Sequence, residues 1–292
     1  MSSGGAASRA PLYCIHPAGG SIIRYQPFAD SMTGLRPVYG VQSRNLIDPS
    51  YVCNSIDEIA QDYVEIIRRN QPQGPYLLLG WSMGGHIAVR MTKKLEQLGE
   101  EVAFLGLLDT KFSPVTPKLT DMQSRHKPTA LDHLAYFASI EGKEIKNYLS
   151  SSDREHLAEI STQLNERELF IYSAMWGQDR GFWTNISPEL MHFLYTESQM
   201  TSEMMRSLVL TRVCAPIHIW WCRESIDRSG GIPCDWQEFT SGAVHTEFVG
   251  GDHESIVRDP LVHAQIVRAL DDLHFRTEDI RKAAYSKQVS CL

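Results

Sequence analysis

The chain has 292 residues, 42% hydrophobic and 22% charged, and its 28 basic against 35 acidic side chains leave a net charge of -7. This is a globular composition, and its acidic balance disfavours nucleic acid as a partner because phosphates would be repelled. The longest apolar run, Val102 to Leu108, falls far short of the roughly 18 residues needed to cross a bilayer, so no membrane span is expected.

Residues 1–10 are rich in Ser, Gly and Ala and lack the charged and apolar regions of a secretory signal, which reads as a flexible linker or expression remnant. From Pro11 onward, short β-like runs alternate with longer helical ones, predicting an α/β class with a mostly parallel central sheet and helices on both faces. Leu12 to Ile15 and Pro37 to Val41 read as strands. Between Ser55 and Arg69 the apolar residues recur at helical spacing, with Ser55 as N-cap and Glu58 placed to complete a capping box. Tyr76 to Leu79 is apolar without alternation, as a central parallel strand should be. A helix from Met83 to about Leu98 follows, ended by Gly99, and then a strand from Ala103 to Leu108 with Asp109 at its end.

From about 113 to 212 the character changes to helical segments around Ala130 to Ile140, Asp153 to Trp176 and Pro188 to Leu210. Such a block inside an α/β alternation predicts an inserted lid. Strand character resumes at Pro216 to Cys222 and Thr246 to Val249, a final helix runs from about Pro260 to His274, and 276–292 is a polar tail. One α/β domain is expected over 11–275, since removing the lid leaves about 160 residues, the size of a single core. The six cysteines show no C-x-x-C spacing and several lie in apolar runs; reduced thiols and a cytoplasmic location are the expectation.

Gly80-Trp81-Ser82-Met83-Gly84 matches G-x-S-x-G, a pattern that chance supplies in about one chain of this length in ten. Its context is more specific, because it joins a buried strand to the start of a helix. A serine projected from so tight a turn needs small residues two before and two after it, and Gly80 and Gly84 stand there. The turn also leaves the Met83 N–H at the helix N-terminus, where developing negative charge is favoured.

A serine hydroxyl needs a histidine to take its proton and a carboxylate to orient that histidine. His253, in the Gly-Gly-Asp-His-Glu loop after the Thr246 to Val249 strand, is the candidate base, with His245 and His263 as structural or surface histidines. Asp252 and Glu254 beside it read as solvated loop charges, because no second His or Cys falls at metal-ligand spacing. Two carboxylates are candidates for the acid: Asp109 and Asp227 each follow a strand that ends at the same edge of the sheet.

These residues resemble the type I thioesterase domains that terminate nonribosomal peptide synthetases and polyketide synthases, members of the α/β-hydrolase superfamily. The likeness runs from Pro11 to about His274 and is carried by Pro11-Leu12-Tyr13-Cys14-Ile15-His16-Pro17-Ala18-Gly19-Gly20, by Pro37 to Ser43, by Gln71 to Tyr76 and by Gly80 to Gly85. It implies that the acid follows the strand after the nucleophile's helix, which is Asp109. Free-standing type II editing thioesterases place it after the later strand, where Asp227 stands, and carry a Pro-Gly-Arg that the stretch after Gln42 lacks. The resemblance also implies a second oxyanion N–H from the loop after the first strand, at Ala18 with Gly19 as its neighbour, and gives His16 a loop-shaping role.

The implied activity is release of an acyl, peptidyl or polyketide chain from the phosphopantetheine thioester of a carrier domain, through an acyl-Ser82 ester, by hydrolysis or cyclisation. The carrier protein is the implied partner and pantetheine arrives with the substrate, so no cofactor or metal is expected. Lid aromatics and methionines (Tyr136, Phe137, Phe170, Tyr172, Met175, Trp176, Phe182, Trp183, Met191, Phe193 and Tyr195) are candidates for cavity lining but read individually as lid core. An editing thioesterase or other serine esterase, and a non-catalytic module that only docks a carrier protein, are the alternative readings.

Overall fold

The structure, a computed structural model, describes residues 9–48, 50–51, 53, 55–111, 129–140, 145, 148–183, 187, 200, 203–205, 208–228 and 235–273. Strands β1 (Leu12–Ile15), β2 (Val38–Val41), β3 (Tyr76–Trp81), β4 (Val102–Leu108), β5 (Ile217–Cys222) and β6 (Val244–Val249) form one six-stranded sheet in the order β2-β1-β3-β4-β5-β6. Every pairing is parallel. The helices are α1 (Gln26–Ser31), α2 (Ile56–Asn70), α3 (Met83–Gln97), α4 (Ala130–Ile140), α5 (Ser151–Gln163), α6 (Glu166–Asp179), α7 (Arg223–Arg228) and α8 over 260–273.

The pleat sorts the central strands into two cores. Tyr76 and Leu78 face a cluster with Ile59, Tyr63 and Ile67 of α2 and Ile87 and Met91 of α3. Leu77, Leu79 and Trp81 face the other side, against Phe28 of α1 and Val262, Ile266 and Leu270 of α8. Burial on both faces explains why β3 reads as a continuous apolar run, whereas β6 at the sheet edge is mostly exposed. Ser55 caps α2 as expected, accepting from the Glu58 N–H at 3.2 Å.

The chain passes from β1 outward to β2 and then back across to β3. The strand order therefore reverses between β1 and β3, and the loops leaving them open a crevice at the C-terminal edge of the sheet. Both Ser82 and the Pro17–Gly20 turn lie at that point.

Between β4 and β5 the elements of three described residues or more are helices. Helices α4 to α6 share a core of their own built on Leu134, Phe137, Leu157, Leu169, Phe170, Trp176 and Trp183. The single helix expected from Asp153 to Trp176 is in fact two. Asn165 accepts from the Glu168 N–H at 3.0 Å while the Glu168 carboxylate accepts from the Asn165 N–H at 3.1 Å, a capping box that starts α6 afresh after α5 ends. The expected segment from Pro188 to Leu210 lies largely outside the described residues, as do residues 1–8 and the tail.

Cys14, Cys53 and Cys222 are buried free thiols and Cys214 is an exposed one; Cys234 and Cys291 lie outside the described residues. No helix among the described residues is long and apolar enough to cross a membrane.

Candidate active site

Ser82 sits between β3 and α3 with φ 58° and ψ -126°, a left-handed conformation that a non-glycine residue holds only where its surroundings enforce it. The enforcement is steric closeness around the turn. A Cβ on Gly80 would lie 2.3 Å from the Gly84 carbonyl carbon, and one on Gly84 would lie 2.4 Å from the Ile15 oxygen and 2.6 Å from the His16 oxygen. The small residues predicted from the motif are therefore needed twice, once within the turn and once where α3 meets the end of β1. The buried Tyr25 ties the same region together: its hydroxyl donates to the Ile15 oxygen at 2.9 Å and accepts from the Trp81 N–H at 2.8 Å.

Asp109 follows β4 and also has a positive φ, 43°. It is fully buried, and its carboxylate collects donors from three directions. The ring Nδ1–H of His253 and the hydroxyl of Ser225 both reach Oδ2, at 2.7 and 2.5 Å, and the Cys222 N–H reaches Oδ1 at 3.2 Å. Burial alone would raise this carboxyl's pKa, but the bonds from His253, Ser225 and Cys222 outweigh it and hold the group below its ordinary value. A carboxylate accepts only, so His253 carries its proton on Nδ1 and turns Nε2 outward as a lone pair.

His253 is held from behind. Its backbone oxygen accepts from Trp81 Nε1 at 2.9 Å, and its ring lies 5.4 Å from the Trp81 ring. The buried Arg24 lies over the same indole, its guanidinium 5.4 Å from the ring centroid, and pairs with Glu254 at 3.0 Å. Asp252 accepts from the N–H groups of Glu254 and Ser255 at 3.1 and 3.0 Å, folding the loop on itself. The two acidic neighbours of His253 were expected to be solvated charges; they instead organise the loop, one by capping its backbone and one by an ion pair. Among the described residues no group of His, Cys, Asp and Glu side chains is arranged to hold a metal ion.

Ser82 and His253 line one cavity of about 240 Å³, together with Ala18, Gly19, Trp81 and, from α4, Asp132 and Ala135. His253 is bonded to Asp109, and no hydrogen bond joins Ser82 Oγ to its ring. Ala18 is exposed on the cavity wall. The Met83 side chain is buried in the core, and its N–H is one of those a helix start leaves without an intrahelical partner.

The other candidates lie apart from this cluster. Asp227, on α7, is exposed, and His245 is exposed on β6. His263 is buried, bonded to the Val257 oxygen at 2.9 Å and stacked edge-on against Phe28. His16 donates from Nδ1 to the Pro17 oxygen and accepts the Tyr63 hydroxyl on Nε2, each at 2.7 Å; burial pushes its pKa down to about 4, so it is a neutral brace for the loop. Of the helical segment's aromatics and methionines, Phe137, Phe170, Trp176 and Trp183 belong to its core, and Met191, Phe193 and Tyr195 lie outside the described residues. Residue patterns did not single out Ser225, Tyr25, Arg24 or Trp81; only the Trp81 position inside the pentapeptide offered any signal.

A parallel sheet whose order reverses between β1 and β3, with a serine at positive φ between β3 and α3, is the α/β-hydrolase fold. The chain belongs to the thioesterase-domain family, whose profile it matches over residues 10–273. It is similar to malpinin synthetase of Mortierella alpina, 40% identical over 122 residues, which are 41% of this chain and 2% of that protein. It thus spans a small fraction of the length of the curated relatives it matches. In fold it resembles a four-domain nonribosomal peptide synthetase in its holo form bound to AMP and glycine, at TM-score 0.71 and 20% identity over 91% of this chain and 20% of that one. It also resembles the NocB thioesterase domain of the nocardicin cluster, at TM-score 0.57 and 19% identity over 91% and 95% of the two chains.

Proposed function

We propose that this domain releases an acyl or peptidyl chain from the phosphopantetheine thioester of a carrier domain, with Ser82 as nucleophile, His253 as base and Asp109 as the acid that orients it. The observation that carries this reading is the 2.7 Å bond from His253 Nδ1 to the buried Asp109, made by a histidine on the wall of the cavity that Ser82 lines. In the first step Ser82 Oγ attacks the thioester carbonyl and His253 Nε2 takes its proton. The oxyanion is received by the N–H groups of Met83 and Ala18, each donor typically contributing about 3–4 kcal/mol. Collapse breaks the C–S bond, and His253 returns the proton to the leaving pantetheine thiol. Water or an internal nucleophile of the chain, deprotonated by the same histidine, then attacks the acyl-Ser82 ester, the C–O bond to Ser82 breaks, and His253 returns the proton to Ser82 Oγ.

The pantetheine arm is substrate-borne, and the carrier domain is the partner this chemistry needs. The helices between β4 and β5 act as the lid: α4 already lends Asp132 and Ala135 to the cavity, and the dryness of that enclosure decides between hydrolysis and cyclisation. The exposed Asp227 does not favour the editing-enzyme arrangement. A fluorophosphonate or an acyl thioester donor should leave its mass on Ser82, and Ser82→Ala should abolish both labelling and turnover. Labelling of a cysteine in its place would refute the assignment.

A further inference from the structure

We infer that Ser225 is a positioning residue for the acid, a fourth member of the relay that sets how Asp109 holds His253. This inference rests on the triad reading above. The Ser225 hydroxyl donates to Asp109 Oδ2 at 2.5 Å, the same oxygen that accepts from His253 Nδ1 at 2.7 Å. Both residues are buried, Ser225 at 3% exposure and Asp109 at 0%, so water does not compete for that oxygen.

The serine is itself held in place. It lies on α7, immediately after β5, and its backbone oxygen accepts from Lys111 Nζ at 2.8 Å, two residues beyond Asp109 itself. Cys222, the last residue of β5, meets the other carboxylate oxygen through its N–H. The β5–α7 junction therefore grips both oxygens of Asp109 and leaves Oδ2 one further direction, toward His253. Ser225 is absent from the cavity wall, so its effect must pass through Asp109 and not through substrate.

Removing the hydroxyl has a defined electrostatic consequence. With one donor fewer, more negative charge remains on the oxygen facing His253, and the imidazolium is stabilised relative to neutral imidazole. The acid limb of the kcat/KM profile should move to higher pH. The carboxylate also loses the contact that fixes its rotation, and a hydrogen bond to a charged group lost at this point should lower kcat about ten- to hundredfold with KM unchanged.

The test uses Ser225→Ala, which suits a helix, and Ser225→Cys, which keeps the size but donates weakly and gives the same reading should the alanine chain fail to fold. Each is assayed for thioester hydrolysis across pH, and the low-field proton resonance of His253 Nδ1–H is recorded. The expected result is a lowered kcat, an acid limb moved upward and a displaced resonance in both variants. Wild-type values for all of these in either folded variant would overturn the inference. If Ser82→Ala abolishes turnover while the Ser225 variants behave as wild type, the Ser225 inference alone fails; if Ser82→Ala leaves turnover intact, the acyl-serine reading fails with it.

Discussion

Replacing Asp109 by asparagine conserves its size but turns one accepting oxygen into a donor, and the consequences can be worked through from the bonds around it. If the amide oxygen takes the place of Oδ1, it keeps the Cys222 N–H, and the amide nitrogen faces both His253 and Ser225. Ser225 can rotate its hydroxyl to accept, and His253 can move its proton to Nε2. If the amide turns over, its nitrogen meets the Cys222 N–H, a backbone donor that cannot adapt, and a buried unpaired group costs about 1–3 kcal/mol. The first arrangement is the cheaper one, and it places the histidine proton on the nitrogen that must receive one from Ser82. Asp109→Asn should therefore fold with a stability loss of no more than about 1–3 kcal/mol while kcat falls about 10⁴-fold, the scale set by the same substitution in serine proteases. Asp227→Asn, on an exposed helical position, should stay within about 0.5 kcal/mol of the parent and keep its activity. Urea unfolding and hydrolysis of a small acyl thioester measure both. Near-parental turnover by folded Asp109→Asn, or a comparable loss in Asp227→Asn, would refute the assignment of the acid.

Gly84→Ala would set a methyl group 2.4 Å from the Ile15 oxygen and 2.6 Å from the His16 oxygen, both backbone atoms, so α3 must move away from β1. A loss of about 1–3 kcal/mol in urea, with a fall in turnover because Ser82 moves with the helix, is expected; unchanged stability would show that the helix tolerates the shift. Burial holds His16 and His86 neutral, with each pKa lowered to about 4 from an ordinary 6.5. Because the unfolded chain takes up those protons first, stability is full above pH 6.5 and falls as pH drops toward 4, by about 3 kcal/mol for each histidine at the lower limit. Asp109, held below its ordinary 3.8, adds a further loss only below that pH. Urea midpoints that stay level from pH 7 to pH 5 would contradict the histidine contribution.

The sheet was legible because each strand carries its burial locally: Tyr76 to Leu79 is apolar on both faces, and the glycines flanking Ser82 answer a steric demand within a few residues. The break between α5 and α6 was missed although the Asn165–Glu168 pair is local, because helical apolar spacing holds on each side of it, at Leu157, Ile160 and Leu164 and again at Leu169, Tyr172 and Trp176. The contacts that hold the base were illegible for a different reason. Trp81 reaches the His253 oxygen across 172 positions and Arg24 reaches Glu254 across 230; the pentapeptide marks the Trp81 position without giving its partner, and no local pattern marks Arg24.

The acid shows where residue patterns alone stop. Asp109 and Asp227 both follow strands ending at one edge of the sheet, so spacing alone leaves both open, and the family resemblance settles the preference for the first. The difference is made by what the backbone does next. After β4 a positive φ at Asp109 turns its side chain inward beneath the donors of the β5–α7 junction, whereas β5 runs directly into α7. That short helix buries Ser225 and carries Asp227 outward. The two strand ends thus have complementary roles, the first supplying an acceptor and the second the donors that hold it. A carboxylate introduced at position 225 would meet Asp109 at hydrogen-bond distance, and because two like charges that close do not both ionise in a buried site, one of the pair would hold a proton and the acceptor that orients His253 would be weakened.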